Sequence, residues 1–324
     1  MRAIIPVAGF GSRLRPHTYT IPKVLLNVAG KPIIGHILDK IIADGFDEST
    51  IIVGHFGDKI RDYVLSHYKL KVDFIEQKEA KGLAHAIYLA RETFSTQPVL
   101  IILGDTIFDV NLTPVINGKF TAIGVREVED PRRFGVVESH DGFVSRLIEK
   151  PEHPTSNHAI VGLYWIRNPR LLEQSISELF EKDTRTRGEY QLTDALQFMI
   201  QHGEKIKTFN VDGWYDCGKP ETLLATNRHL LERMNQQVKL TGVVVIPPVY
   251  VSQKAKISNS VIGPYATIAD GAVVGDSIVR NSIVSEDAQV YKELLENSIV
   301  GNNALVQGNF KRINIGDSSE IEFH

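Results

Sequence analysis

The residues that could do chemistry begin directly after the first apolar run. Met1-Arg2-Ala3-Ile4-Ile5-Pro6-Val7 gives way to Ala8-Gly9-Phe10-Gly11-Ser12-Arg13-Leu14-Arg15-Pro16, and Thr18 and Pro22-Lys23 continue the loop. Glycine lets backbone N–H groups approach phosphate oxygens, because no Cβ stands in the way. Arg13 can fork onto phosphate and Lys23 adds a mobile point charge, so the set reads as a phosphate cradle. A dinucleotide-binding fingerprint would need a third glycine where Leu14 stands and a helix opening there, whereas Pro16 disfavours helical geometry at the residue before it. A Walker loop is excluded as well, since Gly30-Lys31 is followed by Pro32. Arg15 and Lys31 read equally well as solvated cations.

Further along, Leu103-Gly104-Asp105 closes the apolar run 99–103 and puts a carboxylate at the carboxyl edge of a strand. Trp214-Tyr215-Asp216-Cys217-Gly218 offers a second carboxylate. A hard divalent ion that bridges phosphates needs only one or two such groups. Gln77 and Gly82 flank the start of a helix-like stretch, and a glutamine supplies the donor and acceptor that suit the edge of a uracil-type ring. Gly135, in Phe134-Gly135-Val136-Val137-Glu138, and Glu149-Lys150-Pro151 are separated as the two arms of a hairpin would be. Taken singly, these have bland alternatives: a surface glutamine, a turn aspartate capping backbone, a Glu-Lys-Pro surface turn. In Gly188-Glu189-Tyr190-Gln191-Leu192-Thr193-Asp194, Thr193 or Asp194 reads as the cap of the following helix. None of the eleven histidines has metal-type helical spacing.

The elements that must position these groups come in two textures. Up to about residue 230, short apolar runs at 3–7, 50–53, 72–75, 99–103 and 121–125 alternate with amphipathic stretches such as 33–42 and 83–91. That is the alternation of a mainly parallel, doubly wound α/β sheet, on which ligands bind beyond the carboxyl ends of the strands. After Val238, aliphatic residues recur at about six-residue intervals, as at Val251, Ile257, Ile268 and Val274. Val261-Ile262-Gly263, Val273-Val274-Gly275 and Ile299-Val300-Gly301 repeat as related triplets. Such a repeat reads as a parallel β-helix; an antiparallel sandwich would require hairpin-type turns between the triplets. The expected domains are therefore 1–238 and 239–324.

Composition narrows the partners. At 324 residues, 43% hydrophobic and 23% charged, the chain is long enough for two domains with sizeable cores. Its net charge of −3 gives no bulk attraction for nucleic acid or acidic membranes, so phosphate chemistry requires a local cluster of cations. The single cysteine, Cys217, excludes an internal disulfide framework, and the first apolar run is too short for a signal peptide or membrane span. A cytoplasmic location is expected.

Pro6-Val7-Ala8-Gly9-Phe10-Gly11-Ser12-Arg13 with Pro22-Lys23 resembles the signature of the sugar-1-phosphate nucleotidylyltransferases. The resemblance runs over nearly the whole chain and is nearest to long-form glucose-1-phosphate thymidylyltransferases, with a first loop like that of the UTP-using branch. It implies a Rossmann-like nucleotidyltransferase fold carrying a left-handed β-helix. It also implies that Ala8, Gly9 and Gly11 contact a nucleoside triphosphate, that Arg13 holds the departing pyrophosphate and that Lys23 neutralises the phosphates. Gln77 and Gly82 would read the base, Asp105 and Asp216 would hold Mg²⁺, and Asp105 would also belong to the nucleotide site. Gly135, Glu149, Lys150, Val161 and Gly162 would receive the sugar 1-phosphate, with Lys150 on its phosphate. The implied reaction joins dTTP or UTP to glucose 1-phosphate and releases pyrophosphate. A mannose-1-phosphate guanylyltransferase and a non-catalytic sugar-nucleotide sensor are the alternatives. Because no histidine occurs between His229 and His324, the β-helix is not expected to be an acyltransferase; assembly into a homo-oligomer is the expected role.

Overall fold

The computed structural model describes residues 1–94, 96–234 and 236–309. The last stretch of the expected second domain, 310–324, lies outside them. The chain divides into two compact units: Met1–Leu26 with Lys31–Thr226, and Asn27–Gly30 with the chain from Asn227 onward.

In the first unit a nine-stranded sheet carries the site. Arg2–Pro6 (β1), Glu48–Val53 (β2), Lys71–Glu76 (β3) and Val99–Ile102 (β4) form its parallel part, with β1 between β4 and β2, and β3 beyond β2. Thr106–Asp109 (β5) leaves this sheet, and Thr121–Glu127 (β6), Gly135–His140 (β7), Phe143–Glu149 (β8) and His158–Ile166 (β9) extend it. β9 runs antiparallel to β4, β6 and β7, so the sheet is mixed on that side; Ile206–Asn210 (β10) then pairs parallel with β6. Ala3, Ile4 and Ile5 are completely buried, as expected of a strand covered on both faces.

Helices supply the cover. Ile33–Ala43 (α1) buries Ile33, Ile34, Ile37, Leu38 and Ile41, the spacing of one helical face. Gly57–His67 (α2) and Leu83–Leu89 (α3) follow β2 and β3. Pro169–Glu181 (α4) begins with Pro169 in its first turn and is capped by the Asn168 side chain, while Leu192–Gln201 (α5) packs Leu192, Leu196 and Met199 into the same core. Gly213–Asp216 (β11) pairs antiparallel with β5 outside the main sheet. Pro220–Arg233 (α6) contains the division between the units, upstream of the boundary expected at residue 238. Among the described residues no helix is long and apolar enough to cross a membrane.

Over its described residues the second unit is a left-handed parallel β-helix with three faces, each a four-stranded parallel sheet. On one face Val244 stacks on Val261, Val261 on Ile278 and Ile278 on Leu294. Ile262, Ile268, Val274, Val279, Val284 and Val290 point inward and are fully buried. Corners fall at residues that tolerate left-handed backbone, including Asn259, Asp276, Asn281, Asp287 and Asn297, all at positive φ. Stacked corner serines satisfy the turns: the Ser260 hydroxyl accepts from Ser277 N at 3.1 Å, and that of Ser277 accepts from Glu293 N at 3.1 Å. The segment Asn27–Gly30 is held by buried Asn227, whose Oδ1 accepts from Ala29 N at 2.8 Å and from the Thr267 hydroxyl at 2.7 Å.

Candidate active site

The loop after β1 takes its shape from glycine and from two anchors. Gly11 sits at φ 61 and opens a single 3-10 turn, Ser12–Leu14, whose Leu14 is completely buried. Its carbonyl accepts from Leu14 N and from the Thr18 hydroxyl, both at 2.9 Å. A Cβ added there would lie 2.9 Å from Lys23 Cβ and 3.1 Å from Thr18 Cγ2, so backbone conformation and crowding both demand glycine. Arg15 is extended with ψ 141, as a residue before proline should be. Lys23, which opens a later 3-10 turn, Lys23–Leu25, is nearly buried, and its Nζ lies 2.9 Å from Asp105 Oδ2.

Asp105 follows β4, and its backbone carbonyl accepts from Cys217 N at 2.9 Å. The β5–β11 ribbon pairs Thr106 with Asp216, which brings the two carboxylates to one end of the ribbon. Burial raises the Asp105 pKa, but the charge and hydrogen bond of Lys23, the Thr106 hydroxyl and the Arg13 charge outweigh it and hold the carboxyl below its ordinary value. Asp216 is partly used as a turn acceptor, from Gly218 N at 2.9 Å and the Thr222 hydroxyl at 3.2 Å. A side chain on Gly218 would meet Asp216 Oδ1 at 2.8 Å and Arg13 Nη2 at 3.2 Å, which places the Arg13 guanidinium beside the ribbon end. No cluster of three or more metal-type side chains exists among the described residues. The donor set fits an ion held by one or two carboxylates, with phosphate and water filling its remaining positions. Cys217 is no thiolate nucleophile, because burial pushes its thiol up to about 12.

A cavity of 430 Å³ opens above the carboxyl ends of β1, β3 and β4. Ala8, Gly9, Gly11, Arg13 and Lys23 line it from the first loop, and Gln77, Gly82 and Asp105 line it from the others. Gln77 directly follows β3, and its Nε2 donates to the Gly82 carbonyl at 3.2 Å and lies 3.1 Å from His85 Nδ1. Burial lowers the His85 pKa, which favours the neutral ring able to accept that bond.

Residues 2–233 match the family described as nucleotidyl transferase. The chain belongs to the nucleotidyl transferase family. This nucleotidyltransferase is 37% identical over 330 residues to the bifunctional protein GlmU of Methanocaldococcus jannaschii, covering 94% of this chain and 78% of that one. It is 32% identical over 359 residues to a glucose-1-phosphate thymidylyltransferase of Streptomyces griseus, covering 99% of both. With the UTP–glucose-1-phosphate uridylyltransferase AglF of Haloferax volcanii it shares 33% identity over 246 residues, 73% of this chain and 99% of the relative. Among solved structures, one assigned as a glucose-1-phosphate thymidylyltransferase from Bacillus anthracis superposes with a TM-score of 0.63 at 28% identity, covering 74% of this chain and 98% of that one. The reaction class is thus nucleotidyl transfer between a nucleoside triphosphate and a sugar phosphate, in a family that uses a divalent metal.

The residues expected to receive the sugar phosphate form a second cluster in this nucleotidyltransferase. The β7–β8 hairpin sets Gly135 opposite Glu149, and Lys150 N donates to the Phe134 carbonyl at 3.0 Å. Lys150 adopts φ 45, and its Nζ lies 3.0 Å from Glu149 Oε1. A Cβ on Gly135 would meet Ile160 Cδ1 at 2.9 Å and Glu149 Oε2 at 3.1 Å. Gly162, at φ 85 where the β9 register slips, accepts from Leu103 N at 3.0 Å, so this cluster is tied to a residue that lines the cavity. Val161 is buried and its side chain packs toward Gly124 rather than into open space. Buried Tyr164 lies between the two clusters: burial first, then the charges of Glu149 and Asp105, push its phenol pKa up.

The expectation that Thr193 or Asp194 caps α5 is corrected. Neither Thr193 nor Asp194 caps the helix, which starts after Gln191 without a side-chain cap. The Thr193 hydroxyl donates instead to Glu149 Oε2 at 2.7 Å, and Asp194 accepts from the Thr186 hydroxyl at 2.7 Å. Partners outside the helix win over the local backbone because Thr193 faces Glu149 on β8 and Asp194 faces Thr186 in the preceding turn. Glu189 also lines the 430 Å³ cavity; in the sequence it was visible only as the acid next to Gly188.

Proposed function

We propose that the protein transfers a nucleotidyl group from dTTP or UTP to glucose 1-phosphate, releasing pyrophosphate. One observation carries the reading: glycine amides, Arg13, Lys23, Gln77 and Asp105, scattered through the first 105 positions, line a single cavity. Relatives named for glucose-1-phosphate thymidylyl and uridylyl transfer support the choice of sugar and pyrimidine.

Both substrates are anions, so positioning and charge neutralisation carry the catalysis and no covalent enzyme nucleophile is needed. In this reading Gly9 and Gly11 bind the triphosphate through backbone N–H groups and Gln77 and Gly82 hold the base. Arg13 neutralises the leaving pyrophosphate and Lys23 the phosphates under attack. Lys150 binds the sugar phosphate and aligns its oxygen with the α-phosphorus, while Glu149 accepts from ring hydroxyls and Gly135, Val161 and Gly162 bound the sugar with backbone. Asp105 and Asp216 would hold Mg²⁺, which supplies further neutralisation of the triphosphate when bound. A sensor that has lost catalysis would be expected to lack some of these charges, and all are present.

The β-helix is read as an assembly surface for a homo-oligomer. Its outward row includes Val244, Ile278 and Leu294, and Leu294 is 61% exposed. Stacked apolar side chains of this kind are covered by partners more often than by water.

The test is pyrophosphate release across a panel of nucleoside triphosphates and sugar 1-phosphates with Mg²⁺. Turnover highest with a pyrimidine triphosphate and glucose 1-phosphate is the expected result. A preference for GTP would overturn the base assignment, and no release from any pair would overturn the enzyme reading.

A further inference from the structure

The segment between α4 and α5 touches both substrate-side clusters, and one side chain holds it in place. Tyr190 N donates to the Lys81 carbonyl at 2.9 Å, and the Tyr190 carbonyl accepts from Ala84 N at 3.0 Å. Gly82 lies directly between those two contacts. A Cβ on Gly82 would sit 2.4 Å from the Tyr190 carbonyl oxygen and 2.8 Å from its nitrogen, so the cavity-lining loop is moulded on the Tyr190 backbone.

A few residues either side, the same segment grips the sugar side. Arg187 Nη2 donates to the Lys150 carbonyl at 3.4 Å, and the Thr193 hydroxyl donates to Glu149 Oε2 at 2.7 Å. Thr186 and Glu189 exchange two backbone hydrogen bonds, at 3.0 and 3.3 Å, which close the turn between these contacts. The Thr186 hydroxyl also fastens the turn to Asp194 on α5.

What locks the segment is the Tyr190 side chain. The ring is buried and packs edge-on to Phe180 at 4.7 Å, with the Arg185 guanidinium 4.6 Å above it. Its hydroxyl donates to Asp183 Oδ1 at 2.6 Å and accepts from Arg185 Nη2 at 2.9 Å, while Arg185 Nε bonds the same carboxylate oxygen at 2.7 Å. Two charged partners on one neutral hydroxyl make a closed triangle, the stronger class of hydrogen bond.

We propose that Tyr190 is a positioning residue, whose hydroxyl, latched by Asp183 and Arg185, sets the nucleotide-side loop around Gly82 and the sugar-side pair Glu149 and Lys150 at the same time. The proposal rests on the functional reading above, since it takes those two clusters as the two substrate subsites. The hydroxyl itself bonds within the latch, so its effect on either substrate must pass through the backbone it anchors.

The experiment uses the full chain and the substrate pair that the panel identifies. Tyr190→Phe removes the hydroxyl and keeps the ring against Phe180; Asp183→Asn is the second variant, and Thr193→Val with Thr193→Ser tests one end of the segment. KM for the nucleoside triphosphate and for the sugar 1-phosphate should both rise by about fivefold in Tyr190→Phe and in Asp183→Asn, the size of an ordinary hydrogen-bond contribution, because the effect reaches each substrate only through the backbone. Thr193→Val should raise KM for the sugar phosphate alone, and Thr193→Ser should restore it. A merely structural latch would instead lower the active fraction and kcat while leaving both KM values within twofold, and that outcome overturns the proposal. Turnover by the wild-type chain with unchanged KM values in the variants sinks this inference only, whereas no wild-type turnover with any pair sinks it together with the functional reading.

Discussion

The loops of the α/β unit and the corners of the β-helix use the same residue types for opposite ends. Both place charged and left-handed residues at strand termini. In the β-helix these residues pair along the stack: Asn259 donates to Asp276 at 3.3 Å, Asn281 bonds Asn297, and Arg280 bonds Glu296 at 2.7 Å. Each coil repeats the last, so these polar groups find their counterparts one coil away. In the α/β unit the strand ends carry groups that do not repeat. Lys23 meets Asp105 across 82 positions of sequence, beside a cavity, and a phosphate could take the place of Asp105 against Lys23, as a metal could take the place of Lys23 against Asp105. Periodicity builds architecture, and its interruption builds a site.

The sharpest way to break that contrast is Lys23→Ala. If the α/β loops are the chemical end of the molecule, this variant should lose about a thousandfold in kcat/KM, the scale of removing one charge-stabilising group from a transition state. Circular dichroism should be unchanged, because only one side chain at a cavity wall is lost. Near-normal turnover would remove Lys23 from the mechanism.

A smaller effect is expected of Asp105→Asn, on the order of a hundredfold in kcat with a raised Mg²⁺ requirement. This variant also sharpens the electrostatic part of the comparison. The Asp105 carboxyl is held below its ordinary value in the folded chain, so its contribution to stability is fully present above the unfolded value and disappears as pH falls through the lower folded one. Acid titration of the thermal midpoint should therefore lose one acid-sensitive component in Asp105→Asn, leaving those of Glu48 and Asp47, which are also held low, the first by Lys71 and Arg2 and the second by the amino terminus. An identical acid profile would mean that Lys23 does not stabilise the carboxylate.

How much of this was legible in the sequence follows from the same distinction. Strands β1 to β4 and helices α1 and α3 were readable within a residue or two, because their burial patterns are local and periodic. The cradle glycines and Asp105 were readable because they follow apolar runs, and Lys23 because Pro22-Lys23 continues the glycine loop. What escaped was non-local. Thr193 looked like a helix cap, since nothing nearby in sequence announces Glu149 as its partner 44 positions away. The adoption of Asn27–Gly30 by the second unit depends on Asn227, a single buried amide inside a helix that looks uniform. Corner ladders were invisible for a different reason: the aliphatic period marks the inward positions, whereas the αL residues fall at the corners between them, where Asn, Asp, Lys and Tyr all serve.

The smallest expected effect lies in the β-helix, and it tests the contrast from the other side. Leu294→Glu places a charge in the outward apolar row without touching the inward stack, since Leu294 is 61% exposed and its neighbour Leu295 carries the core contact. kcat and both KM values should stay within about twofold of wild type. Sedimentation velocity should meanwhile show a shift to a smaller species, because a carboxylate buried in an apolar contact between copies is costly. A large loss of turnover together with an unchanged oligomeric state would place chemistry in the repeat and erase the division of labour. Turnover retained in a dissociated chain would instead locate catalysis wholly in the α/β unit, where the charges that break the pattern stand.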